Sequence, residues 1–130
     1  MIWSVALGGA VGSVARFLLS SLLQRATGSA FPVWTLLINL TGSILLGFLM
    51  RYLVDGVHVA STTRALLTTG FCGGCTTFST FSYETAALIE QGDWRRASTY
   101  VALSVGLSLL GAIAGIGLAG ELVAVRGDAG

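Results

Sequence analysis

The chain has 130 residues, 54% of them hydrophobic and only 10% charged, with no Lys. A water-soluble domain is about a quarter charged, so this composition excludes an ordinary soluble fold and points to a protein embedded in lipid. The net charge of +1 leaves no basic footprint for nucleic acid.

Four apolar segments follow one another within a single domain, 1–130. Each is long enough to cross a hydrocarbon core of ~30 Å at 1.5 Å per residue. Helices are the expected form, because open strands would leave backbone groups unpaired in lipid. The first segment, Ile2–Leu23, is interrupted only by Arg16. It lacks a basic n-region and is too long for a signal-peptide core, so it is expected to be a span. A charge placed that deep needs a partner or a wet cavity.

The second segment, Pro32–Met50, has no charge, and Asn39 lies near its midpoint. A carboxamide there faces protein or water, and it offers two donors.

The third segment, Ala65–Ile89, contains "GFCGGCTTFSTFSYE" from Gly70 to Glu84. Gly73 and Gly74 each weaken a helix by roughly 1 kcal/mol relative to Ala, and two Thr follow them. A break is expected at this pair, near the middle of the span. Unwound carbonyls at mid-membrane are one way to hold a small cation. A straight helix with a glycine-lined packing groove is the alternative. Phe78 and Phe81 share a helix face, with Ser79, Thr80 and Ser82 around them. Their positive ring edges could meet a small anion, or the rings could simply pack. Glu84 falls near the end of the hydrocarbon, at a pathway mouth; a mutual ion pair with Arg16 is the plainer role for both charges. Cys72 and Cys75 are too few for zinc in a chain with one His, and a redox pair wants an exposed helix N-terminus. They are expected to be small packing residues in a reduced inner membrane.

The fourth segment, Ala97–Val125, is charged only at Glu121. Tyr100, Ser104 and Ser108 recur every four residues and form a polar stripe, unless the Ser hydroxyls only back-bond their own helix. Across the segments the polar groups are donors without a mid-membrane carboxylate, which favours an anion as the conducted species. Gly8 with Gly12, and Gly111 with Gly115, form GxxxG pairs suited to close helix packing within or between subunits.

Three Arg (Arg51, Arg64, Arg126) lie at one end of the segments, three (Arg25, Arg95, Arg96) at the other, and Arg16 lies within. Orientation follows such bias. A balanced count is what a dual-topology protein needs, with copies inserted both ways and paired antiparallel.

Three stretches, "GGAVGSVAR", "TLLINLTGSILLG" and "GFCGGCTTFSTFSYE", occur in this order over nearly the whole chain. In them the chain resembles the CrcB/Fluc family of fluoride channels. The resemblance implies an all-α membrane protein of four-helix subunits in an antiparallel, dual-topology homodimer. It implies two fluoride pathways and a structural Na⁺ at the dimer centre. By motif, the carbonyls of Gly73 and Thr76 would bind Na⁺, four from two subunits. Phe78 and Phe81 match the paired pore phenylalanines, and Asn39 the pore asparagine. Ser104, Ser108 and Thr80 would form a polar track beside them. Arg16 and Glu84 match charged positions as vestibule or structural residues. Cys75 stands where larger apolar residues are common.

The implied function is passive export of F⁻ across the cell's inner membrane, relieving fluoride toxicity. The alternative is a proton-coupled, small multidrug-type antiporter, which needs a carboxylate in the first span where this chain has Arg16. An intramembrane enzyme is disfavoured, because the lone His58 lies in a polar connector.

Overall fold

A computed structural model describes every residue, Met1–Gly130, and all its regular structure is helical. Helix α1 spans Ile2–Thr27, one turn past the expected end. It stops where Gly28 adopts a left-handed φ of 55° and returns its N–H to Gln24 O. Trp34 Nε1 donates to Thr27 Oγ1 at 2.8 Å and fastens the turn into the next helix. Helix α2 begins after Pro32, is α-helical over Val33–Arg51, and continues with wider π-type bonding through Tyr52–Gly56.

The expected third span is two helices. Helix α3 is built of Ser61–Ala65, a π-type stretch Leu66–Cys72, and Gly73–Cys75. Helix α4 is Phe78–Glu90. Between them Thr76 and Thr77 are extended, at φ −84°, ψ 155° and φ −151°, ψ 117°. The break therefore exists, but not at the glycine pair. Gly73 is helical at φ −64°, ψ −36°, and Gly74 is inside the same helical piece. Gly74 serves close packing instead: a Cβ there would stand 2.6 Å from Gly9 O of α1. Helix α5 runs from Trp94 to Asp128, its first turn capped by Asp93, whose side chain accepts from Arg96 N.

Helix α2 lies along α5, and α1 along α3. Both GxxxG pairs make these contacts inside the subunit. A Cβ on Gly8 or Gly12 would strike the α3 backbone around Leu66 and Phe71, and one on Gly115 the α2 backbone at Ile44 and Phe48. Small residues let the backbones approach, which is how helices gain dispersion contacts in lipid. The core is correspondingly small: Leu36, Phe81, Leu88, Ala97 and Tyr100, with Phe31 and Leu107 against them.

Only 19 of 130 residues are buried, while Leu, Ile and Val side chains of α1 and α5 point outward along their lengths. Such a surface suits lipid, not water. Helices α1, α2 (Val33–Gly56) and α5 are each long and apolar enough to cross a membrane.

Candidate functional site

Asn39, at mid-α2, meets the break directly. Its Oδ1 accepts from Thr77 N at 2.8 Å, and its Nδ2 donates to Thr77 O at 3.0 Å. One carboxamide thus satisfies both backbone groups of an extended residue, groups that lipid could not pair. One Nδ2 hydrogen remains for another partner. Thr77 in turn caps α4: its Oγ1 accepts from Thr80 N at 3.2 Å and bonds Thr80 Oγ1 at 3.0 Å.

These bonds redirect two helix donors. In an unbroken helix Thr77 N–H would close on Gly73 O, and Thr80 N–H on Thr76 O. Both donors go to side chains instead. The carbonyls of Gly73 and Thr76 lose their helical partners and are the sort of hard oxygen ligand a small cation takes. Gly74 O, between them, is already engaged by Arg16 Nε at 3.3 Å and Ser13 Oγ at 3.5 Å. No three His, Cys, Asp or Glu side chains converge on a metal-binding point. Cys72 and Cys75 are free thiols, Cys72 fully buried.

Beside the break lies a groove of about 280 Å³ whose lining includes Asn39, Ser43, Phe78, Phe81, Ser104 and Ser108. The two Phe rings are 5.5 Å apart and tilted by 46°. They differ in setting: Phe78 is 77% exposed and Phe81 9%. Phe81 stacks on Tyr100 at 5.2 Å, and Phe31 meets Tyr100 edge-on at 5.6 Å. The Ser104 hydroxyl is buried in this wall without a hydrogen-bond partner. The stripe Tyr100, Ser104, Ser108 therefore faces the protein interior, with Ser108 half-buried.

A second cavity, about 410 Å³, is lined by Arg16, Thr35, Thr80 and Glu84 among others. Thr80 belongs to this cavity and is not among the residues lining the groove with Ser104 and Ser108. Arg16 and Glu84 share the cavity but form no ion pair, contrary to the plainer expectation. Arg16 is turned to Gly74 O, while Glu84 accepts from Thr35 Oγ1 at 2.8 Å and Tyr100 Oη at 2.7 Å. Two hydroxyl donors stabilise the carboxylate without a cation. Phe81 and Glu84, three apart on α4, face one cavity each, and Tyr100 touches both.

Two residues of this arrangement, Thr35 and Thr77, were not expected in the site, and Tyr100 was expected only in the polar stripe of α5, not as a partner of Glu84. Thr77 had a local signal, a hydroxyl residue just before an apolar-periodic run, as at a helix N-cap. Thr35 had only the general demand of an embedded Glu for donors.

An apolar exterior, helices of spanning length and polar side chains converging on a broken helix define a multi-pass membrane protein with an intramembrane polar site. Residues 3–116 match the family described as CrcB-like protein, Camphor Resistance (CrcB), and the chain belongs to that family. It is 47% identical over 111 residues to a protein of Aquifex aeolicus named fluoride-specific ion channel FluC, covering 85% of this chain and 87% of that one. Proteins of the same name from Geobacter sulfurreducens and Rhizobium meliloti are 46% and 42% identical, over 93% and 92% of this chain and 98% and 95% of theirs.

Proposed function

We propose that this chain is a passive, fluoride-selective channel and not an enzyme. The observation that carries the reading is the shared name of its relatives over nearly their full lengths. The groove supports it: its polar lining is hydroxyl and carboxamide, beside two aromatic rings and with no carboxylate. Such groups donate to an anion. F⁻ would pass Asn39, Phe78, Phe81, Ser104 and Ser108, with Thr80, Arg16 and Glu84 in the adjoining vestibule.

Direction follows from acid chemistry. HF crosses membranes uncharged and dissociates in a near-neutral cytoplasm. A negative interior then drives F⁻ out at roughly 2.3 kcal/mol per charge per 100 mV, with no coupled reaction. An antiporter of the small multidrug type is not supported, since α1 carries Arg16 and no acid.

The working unit we propose is an antiparallel, dual-topology homodimer in the cell's inner membrane, each subunit crossing four times with α3 and α4 together as one broken span. The carbonyls of Gly73 and Thr76 would hold a structural Na⁺ at the dimer centre. Bound there, Na⁺ supplies positive charge to groups that lipid leaves unpaired. Liposomes containing only this protein should discharge a fluoride gradient with no proton or sodium gradient imposed. Strict dependence on a proton gradient would overturn the reading.

A further inference from the structure

The two carbonyls proposed to hold the cation are released by side chains of the same chain. Both donors that would quench them are diverted locally: Thr77 N–H to Asn39 Oδ1 at 2.8 Å, and Thr80 N–H to Thr77 Oγ1 at 3.2 Å. Nothing about the glycine pair accomplishes this, because Gly73 and Gly74 are both helical. From these bonds we infer that Asn39 and Thr77 are positioning residues for the cation site. Asn39 keeps Gly73 O free of its helical donor, and Thr77 does the same for Thr76 O. The inference rests on the Na⁺ reading above and deepens it.

The consequence is a mechanical link between the two ions. Asn39 also lines the groove, so the side chain that presents a donor to the anion route holds open the cation site. The side chain of Thr77 acts through its hydroxyl. With Val in its place, shape is kept, but Thr80 N–H loses its acceptor, and Thr76 O is the carbonyl it would take in a continued helix. Each such turn adds one helical bond and withdraws one cation ligand. Ser in its place restores the cap, because Ser and Thr both accept well at an N-cap. Asn39→Asp keeps the acceptor for Thr77 N but removes the donor to Thr77 O. It is thus expected to loosen the break less than Asn39→Leu, which removes both.

The test is thermal unfolding of the purified full-length protein, followed by its Trp fluorescence. Na⁺ is titrated against a bulky organic cation at constant ionic strength. Wild type should be stabilised by Na⁺. Thr77→Val should need about tenfold more Na⁺ for the same stabilisation, the scale of a lost N-cap, and Thr77→Ser should return to the wild-type midpoint. Asn39→Leu should need at least as much as Thr77→Val; should it fail to fold, the Thr77 pair carries the comparison alone. A Thr77→Val protein with the wild-type Na⁺ midpoint, beside a wild type that does respond, would overturn the positioning role and leave the cation site standing. A wild type indifferent to Na⁺ would overturn both.

Discussion

Tyr100 Oη donates to Glu84 Oε2 at 2.7 Å, while Thr35 Oγ1 donates to the other oxygen of the same carboxylate at 2.8 Å. Three helices, α2, α4 and α5, are joined at that carboxylate. Tyr100 also stacks on Phe81, so the bond that holds Glu84 in one cavity fixes a ring in the wall of the other. Tyr100→Phe keeps the stack and removes the bond. A hydrogen bond to a charged group contributes about 1.5–3 kcal/mol, and partial exposure of Glu84 lowers that to about 1–2 kcal/mol. Thermal unfolding in detergent should show that loss for Tyr100→Phe, and fluoride efflux should fall because the carboxylate, short of one donor, presents less compensated negative charge to the cavity it lines. Tyr83→Phe is the control: Tyr83 is 76% exposed and should change stability by less than about 0.5 kcal/mol.

The two phenylalanines of the groove should separate by their burial. Phe78→Ile alters a side chain that is 77% exposed and should leave unfolding within about 0.5 kcal/mol of wild type. Phe81→Leu removes ring atoms stacked on Tyr100 and should cost about 1–2 kcal/mol, toward the low end of large-to-small core changes. Fluoride flux should drop strongly in both, since each loses a positive ring edge. Unchanged flux in both would make the rings packing residues.

What could be read in advance, and what could not, divides along chain distance. The irregular character of the third span was legible in Gly73, Gly74 and the Thr pair, because helix propensity is local. The position of the break was not, because the Thr77 amide at the break is paired by Asn39, 38 residues away. A break three residues further along turns on which amide finds a side-chain acceptor, and only packing of α2 against the break decides that. In the same way the hydroxyl stripe at Tyr100, Ser104 and Ser108 was legible as helical periodicity. The pairing of Tyr100 and Thr35 with Glu84 was not, so an ion pair with Arg16 stood as the plainer alternative to a pathway mouth. Arg16 instead bonds Gly74 O, an end-of-helix carbonyl that exists only once the break is in place.

Dual topology rests on three Arg at each end of the helices, and Arg126 Nη1 reaches Tyr52 Oη at 2.6 Å, which puts Arg126 at the Arg51 end. A C-terminal reporter should therefore appear on both sides of the membrane. Adding two or three Lys to one end should force one orientation and abolish flux, and an oppositely biased copy should restore it. A single orientation for all unmodified copies would remove the antiparallel dimer from consideration.

The adjacent glycines Gly73 and Gly74 should fail in different ways. A Cβ on Gly74 would stand 2.6 Å from Gly9 O and 3.0 Å from Gly9 Cα, both backbone atoms that cannot swing aside. Gly74→Ala should therefore push α1 off α3 within one subunit and cost ~1–3 kcal/mol, as overpacking does. Gly73 is exposed, and a Cβ there meets nothing within 4 Å in its own chain. Its φ and ψ are helical, so Val is sterically allowed, and the propensity difference between Gly and Val is small. Gly73→Val should insert and fold as a subunit. Its damage should appear only when a second copy brings its own Gly73 close, as weaker dimers on cross-linking and weaker stabilisation by Na⁺. If Gly73→Val pairs, responds to Na⁺ and conducts like wild type, the open face at Gly73 is lipid-facing and the shared cation site is wrong. If it instead unfolds as Gly74→Ala does, the fault lies within the subunit, and the open face at Gly73 is not where a second copy sits.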